Sequence, residues 1–144
     1  DTGEDIKQAI TVEAAGKLLA EGTDYTVSYN NNINAGNAEV TITGCGDYTG
    51  TVTKAFKITK AKQKIQLKKT SYKKVVGSKS FKLSGIKAIG KLTYKSSKKS
   101  VATVNKKGKV TIKGKGTAKI TVTAAGDKNH KKATATVKVK VTKK

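Results

Sequence analysis

"TAKITVTA", residues 117–124, decides the fold. Ala118, Ile120, Val122 and Ala124 alternate with Thr117, Lys119, Thr121 and Thr123. A period of two places the apolar set on one face of a β-strand and the polar set on the other. "ATATVKVKV" (133–141) repeats the pattern, with Ala133, Ala135, Val137, Val139 and Val141 facing inward and Thr and Lys facing outward. Thr and Val dominate because β-branched side chains suit a pleated, half-buried surface.

Upstream, "SFKLSG", "KLTYKSS", "SVATVN" and "KVTIKG" follow one another between glycine or polar breaks. Turn signals every 8–12 residues or so are the pattern of a β-sandwich. "NKKG" (105–108) is a four-residue hairpin turn. The first half alternates too. "DYTVSYN" (24–30) puts Tyr25, Val27 and Tyr29 on one face, and "AEVTITG" (38–44) puts Ala38, Val40 and Ile42 inward. Between them, "NNNINAG" reads as a hairpin connection, because Asn and Gly tolerate positive φ and Asn side chains bond their own backbone. Ile33 is expected to fold back as a hydrophobic plug. The loop's neutral amides make a poor site for a hard cation. "ITVEAAGKLLAEG" (10–22) fits either a short helix through Val12, Ala15, Leu18 and Leu19 or two short strands turning at Gly16-Lys17; strands agree with the β surroundings. In "TVTKAFKITK" (51–60), Val52, Phe56 and Ile58 share a face, and Lys54 falls on it by parity.

At 144 residues the chain suits one large or two small domains. It lacks Trp, Met, Pro and Arg and has one His and one Cys. No apolar run reaches the roughly 18 residues of a membrane span. No signal peptide opens the sequence, which therefore reads as a mature segment or an excised fragment. Of the formal net charge of +22, residues 1–60 carry −3 (five lysines, eight acids) and residues 61–144 carry +25 (twenty-six lysines and Asp127). That break predicts two domains, 1–60 and 61–144. "ITKAKQKI" between them holds neither Gly nor Pro, so the expected arrangement is an elongated pair of beads, each on the order of 30–40 Å long.

"SSKKSVATVNKKGKVTIKGKGTAKITVTA" (96–124) resembles the group 2 bacterial immunoglobulin-like domain of intimin- and invasin-type adhesins. Ser97, Val101, Ala102, Val104, Gly108, Val110, Gly116, Ala118 and Ile120 fill the key places of that pattern, and the resemblance covers residues 62–144. "DYTVSYNNNINAGNAEVTITGCGDYTGTVTKAFKI" (24–58) resembles a second immunoglobulin-like β-sandwich repeat, found in surface and secreted proteins of Gram-positive gut bacteria, and the resemblance covers about residues 10–60. Such repeats open with a Pro-containing strand that is missing here, so the stretch before Asp5 reads as a truncated start. The resemblance implies an all-β chain of two tandem immunoglobulin-like sandwiches, a non-catalytic module of a bacterial cell-surface or secreted protein. Such modules form stalks, present adhesive tips or accompany secreted enzymes. No cell-wall sorting motif is present in this stretch, so any anchor lies elsewhere in the parent protein. A monomer without cofactors is expected, joined to neighbouring domains of that parent.

Residues for catalysis are sparse. Nucleophilic catalysis needs a nucleophile, a base and an orienting group. His130 sits in the polar stretch "DKNHKK", far in sequence from Cys45. A structural zinc needs four ligands, and Cys and His together number two. "GKGTAK" (114–119) lies between strands, not before a helix, and is no phosphate loop. Cys45 in "TGCGDYTG" reads either as a neutral loop substitution or as an intermolecular disulfide partner. Some Gram-positive surface domains join a core Lys to an Asn, which requires a desolvated, neutral amine. The parity of Lys54 makes it the candidate for such a cross-link, against a bulge or a snorkelling side chain.

The lysine-rich half would attract polyanions. Without Arg, and with Tyr72, Phe81 and Tyr94 as its aromatics, it lacks the groups for base readout or base stacking, so sequence-specific nucleic acid is not the expected partner. Lys109, Lys113, Lys119, Lys138 and Lys140 fall at outward strand positions, where charge also discourages edge-to-edge aggregation. Lys106, Lys107, Lys109, Lys113 and Lys115 form the candidate polyanion-binding cluster, for cell-wall polymers, acidic host glycans or lipid head groups.

Overall fold

The computed structural model describes residues 4–144 and is all-β. The chain divides into two compact units, Asp1–Ala61 and Lys62–Lys144. The expected truncated start before Asp5 falls mostly on residues 1–3, outside the described residues.

The first unit contains β1 (Glu13–Ala14), β2 (Lys17–Leu18), β3 (Tyr25–Asn30), β4 (Gly36–Gly44) and β5 (Thr51–Ile58). The last three form an antiparallel sheet in the order β3-β4-β5. Its register sets Val27 opposite Ile42, Tyr29 opposite Val40, and Ala38 opposite Phe56. The alternating apolar residues therefore meet on one face, where Tyr25, Ala38, Val40 and Ile58 are buried. Tyr29 and Phe56 make an edge-to-face contact at 6.4 Å across β4. The other small sheet is the β1-β2 hairpin. Its turn centres on Ala15 (φ 51°) and Gly16 (φ 79°), one residue earlier than Gly16-Lys17. Two successive positive φ values are what a two-residue type I′ hairpin requires. Leu18, an apolar position in the helical alternative, is 65% exposed.

The "NNNINAG" connection joins β3 to β4, but Ile33 does not plug it: that side chain is 42% exposed. Asn32 is buried instead. Its Nδ2 donates to the Ile6 carbonyl at 3.3 Å, while the Ile6 amide donates to the Asn32 carbonyl at 2.7 Å. The backbone of the 6–8 segment has polar groups to satisfy, and an amide side chain meets that need where an isoleucine could not. The Tyr29 hydroxyl, donating to the Gln8 carbonyl at 3.0 Å, fixes the same segment.

The second unit contains β6 (Gln66–Leu67), β7 (Ser71–Val75), β8 (Phe81–Lys82), β9 (Ile86–Lys87), β10 (Leu92–Ser96), β11 (Ala102–Val104), β12 (Lys109–Ile112), β13 (Gly116–Ala124) and β14 (Ala133–Thr142). A four-stranded sheet runs β10-β13-β14-β7, a three-stranded sheet runs β11-β12-β8, and β6 pairs with β9. β13 and β14 form a long antiparallel hairpin from Gly116↔Val141 to Ala124↔Ala133, and β7 joins β14 in parallel. Inward residues of both sheets share one core: Val101, Ala102 and Val110 from the smaller sheet and its approaches, Ala118, Ile120, Val122, Ala124, Val137, Val139 and Val141 from the larger. Two sheets of this order around an aliphatic interior make an immunoglobulin-like sandwich. Each fully buried Val or Ile contributes about 1.5–3 kcal/mol relative to an exposed one.

Gly108 and Gly116 have geometric reasons. Gly108 (φ 82°) closes the 105–108 turn, whose Asn105 Oδ1 accepts from the Lys107 and Lys109 amides, both at 2.9 Å; a Cβ there would meet the Tyr94 ring at 3.0 Å. Gly116 has φ 133°, and its Cβ would lie 2.7 Å from Val101 Cγ2, inside the core. Gly116→Ala is therefore expected to destabilise this unit by about 2–3 kcal/mol through backbone strain plus overpacking. Urea unfolding followed by far-UV circular dichroism measures it, and a change below about 0.5 kcal/mol would contradict the close approach.

Candidate functional site

Among the described residues, no group of three His, Cys, Asp or Glu side chains is placed to hold a metal ion. No helix there is long and apolar enough to cross a membrane. Cys45, in the first unit, is half-buried, and its Sγ donates to the Thr23 carbonyl at 3.4 Å. His130, in the second, faces Asp127: Nδ1 lies 2.9 Å from Oδ1 and 3.0 Å from Oδ2. Asp127 Oδ1 also accepts from the amides of Asn129 (2.8 Å) and His130 (2.6 Å), and the Asp127 amide donates to the His130 carbonyl at 3.0 Å. The pair is thus committed to the loop that joins β13 to β14.

The Asn129 amide holds the Asp127 carboxyl below its usual range; desolvation opposes this, and bonds and charge from His130 add to it. A lowered carboxyl pKa stabilises the loop at every pH above the ordinary carboxylate range, and this stabilisation is lost as pH falls through the folded-state value. In an NMR titration, the Asn129 and His130 amide resonances are expected to shift together, with a midpoint below that of a free aspartate. Asp127→Asn should abolish the shift. A midpoint at or above the free-aspartate value would contradict the geometry.

Lys54 lies on β5 opposite Val40, as parity requires, but it is exposed. It stands with Val52 and Phe56 on the wall of an open groove of about 440 Å³ beside residues 8–13. Val52 at the same end of the strand is 51% exposed. The inward face of β5 is covered toward Ile58 and open toward Val52, so the Lys54 amine stays hydrated. A cross-link to Asn requires a desolvated amine, whereas parity gives only the face on which Lys54 stands.

The five-lysine cluster divides in two. Lys106 and Lys107 occupy the turn before β12, and Lys109 pairs across the sheet with Lys82. Lys113 and Lys115 follow β12 at its far end, where the Lys113 amide donates to the Val101 carbonyl at 2.8 Å. Three residues lie between Lys109 and Lys113, which are about 13 Å apart along the strand direction. Between them Thr111 is bonded to Ser80, hydroxyl to hydroxyl, at 3.2 Å.

A tighter grouping lies on the outer face of the four-stranded sheet. Lys119 on β13 sits directly opposite Lys138 on β14, and Lys140 on β14 directly opposite Lys73 on β7. Lys95 on β10 stands opposite Thr121, diagonal to Lys119. All five are exposed, and among the described residues none has an ion-pair partner. Directly opposed side chains have Cβ atoms about 4.5–5.5 Å apart, and like charges so placed are destabilising. Outward parity of Lys119, Lys138 and Lys140 is legible in the sequence. Their convergence with Lys73 is not, because it depends on a parallel pairing between strands more than sixty residues apart.

Residues 81–126 match the family model of the intimin immunoglobulin-like domain. The match spans β8 to the end of β13, where both sheets and most of the core originate. No curated protein matches the chain. Among solved structures, domains 4 and 5 of the S-layer protein SbsC are similar at 21% identity and a TM-score of 0.41, covering 92% of this chain and 79% of that one. Protocadherin gamma B7 domains EC3–6 are similar at 12% identity and a TM-score of 0.38, covering 87% of this chain and 39% of that one. Protocadherin gamma B2 cadherin domains 3–6 give 13%, 0.34, 86% and 40% in the same order.

Proposed function

We propose that this chain is a non-catalytic spacer of a bacterial cell-surface or secreted protein, probed by tension and presenting an adhesive or catalytic domain carried elsewhere in the parent. The observation that carries this reading is how the buried polar side chains are used. Asn32, Gln63 and Ser96 all bond backbone groups of their own unit, and so serve the scaffold. The intimin-like match over 81–126 supports a surface location. In the second unit the early strand β7 and the terminal strand β14 run parallel over five register pairs. Tension along the chain therefore shears that ladder as a block, instead of unzipping it pair by pair. Single-molecule stretching of the full chain is expected to give a sharp force peak for the release of residues 62–144. Gradual extension of that unit without a peak would contradict a spacer role under load.

The charge of the second unit supports a second reading, a binding module for acidic glycans or cell-wall polymers. Retention on an immobilised polyanion at about 0.15 M salt, where surface charges more than roughly 8 Å apart are screened, favours it. Elution far below that salt leaves the spacer alone.

A further inference from the structure

We propose that the outer face of the four-stranded sheet docks an extended polyol-phosphate chain, a ring-free polymer of phosphodiesters. This rests on the polyanion reading above and gives it a face and a ligand chemistry. Lys119, Lys138, Lys140 and Lys73 form a stepped array across β13, β14 and β7, which Lys95 on β10, diagonal to Lys119, extends by one strand. Neighbouring strands lie about 4.8 Å apart, and alternate residues along a strand about 6.7 Å apart, so one flexible polyanion reaches all five ammonium groups without bending the protein. The opposed pairs Lys119–Lys138 and Lys73–Lys140 have no acid among the described residues to neutralise them. The unit's one acid, Asp127, is committed to the loop after β13. A bound anion relieves the repulsion within both pairs, which makes this face a stronger anion site than the same number of scattered lysines.

Apart from Val75, exposed at the edge of β7 opposite Thr142, the remainder of the face is hydroxyl. Thr121 stands opposite Thr136, Thr123 opposite Thr134, and Thr117 opposite Lys140. Threonine hydroxyls donate to phosphate oxygens between the ammonium groups. No aromatic ring and no guanidinium occupies this face, so nothing there stacks on a sugar ring or forks around a planar anion. Ammonium and hydroxyl donors on a flat surface suit a polymer whose recognisable features are its phosphates. The cluster at 106–115 has one opposed pair, Lys109 with Lys82, against two on the sheet face, and its two groups lie about 13 Å apart.

The test compares two charge-matched variants of the full chain. One is K73Q/K95Q/K119Q/K138Q/K140Q, on the sheet face; the other is K106Q/K107Q/K109Q/K113Q/K115Q. Binding of poly(glycerol phosphate) is titrated calorimetrically over a range of salt, with heparin at equal anion concentration as the alternative ligand. The sheet-face variant is expected to lose at least about tenfold in affinity, and its salt dependence should flatten by roughly one unit of log–log slope per lysine in contact. The other variant should lose less than about threefold. A melting temperature no lower than that of the unsubstituted chain shows the sheet-face variant is folded, since two like-charge oppositions have been removed. Equal losses in both variants overturn the assignment to this face, and loss confined to the 106–115 variant moves the site there while sparing the polyanion reading. Tighter binding of heparin than of poly(glycerol phosphate), lost with the same five lysines, overturns the choice of polymer. No binding by the unsubstituted chain at about 0.15 M salt overturns both this proposal and the polyanion reading, and leaves the spacer reading intact.

Discussion

Replacing Ile120 by Ala lowers the stability of the 62–144 unit by about 3–4 kcal/mol, whereas Thr121→Ala, one residue along, changes it by less than about 1 kcal/mol. Ile120 is fully buried on β13, opposite Val137 and Ser96, and packs where the two sheets face each other. Its truncation removes apolar surface that the fold had taken out of water and leaves a cavity that the rigid hairpin cannot close. Thr121 stands on the opposite face, half-exposed, opposite Lys95 and Thr136. Native-state hydrogen exchange of the β13 and β14 amides reads this unit's stability without interference from the first unit. Equal costs at the two positions would remove the basis for a two-sided strand.

The second large effect is expected at Gln63. This residue is buried, and its side chain bonds three backbone groups: Nε2 donates to the carbonyls of Ala125 (2.8 Å) and Lys131 (2.9 Å), and Oε1 accepts from the Gly90 amide (3.0 Å). It thereby ties the segment entering the second unit to the 90–91 turn and to both arms of the loop after β13. Gln63→Ala leaves those three groups without their partner. Each bond is worth roughly 1 kcal/mol net, and an orphaned buried group costs more, so about 2–4 kcal/mol is expected. Gln63→Glu keeps the shape and the acceptor for Gly90, but turns a carboxylate oxygen toward two carbonyls. It should be at least as damaging at neutral pH and recover as the carboxyl protonates on acidification. Urea unfolding at pH 7 and at lower pH checks both, and a Gln63→Glu chain as stable as the native one at pH 7 would refute the staple.

The strands with clean alternation were legible because side-chain parity is local information. β3, β4, β10, β12, β13 and β14 lie where their apolar residues place them, and the inward sets of β13 and β14 form the core. β7 lacks clean alternation because Lys74 occupies an inward position. Its ammonium lies 4.4 Å from the centre of the Phe81 ring, so the ring face receives a charge on the apolar side of the strand. Gln63 carried a signal that went unused: it shares parity with the inward Ile65 and Leu67, amid Lys62, Lys64, Gln66 and Lys68. Polarity argued against burial there, and only the positions of the three backbone groups reverse that. Ile33 and Asn32 show the same limit, since which side chain enters a loop depends on the backbone it meets. Lys54 shows another, because parity gives the face and not whether anything covers it. The lysine array on the outer sheet depends on strand neighbours, which alternation cannot supply.

Seven residues of β13 carry methyl groups, so its two faces can be compared in the unsubstituted chain. Relaxation of those methyls by a soluble paramagnetic probe is the most direct measurement. Strong relaxation is expected at Thr117, Thr121 and Thr123 and protection at Ala118, Ile120, Val122 and Ala124. Uniform relaxation along the strand, or protection that recurs every third or fourth residue, would contradict it.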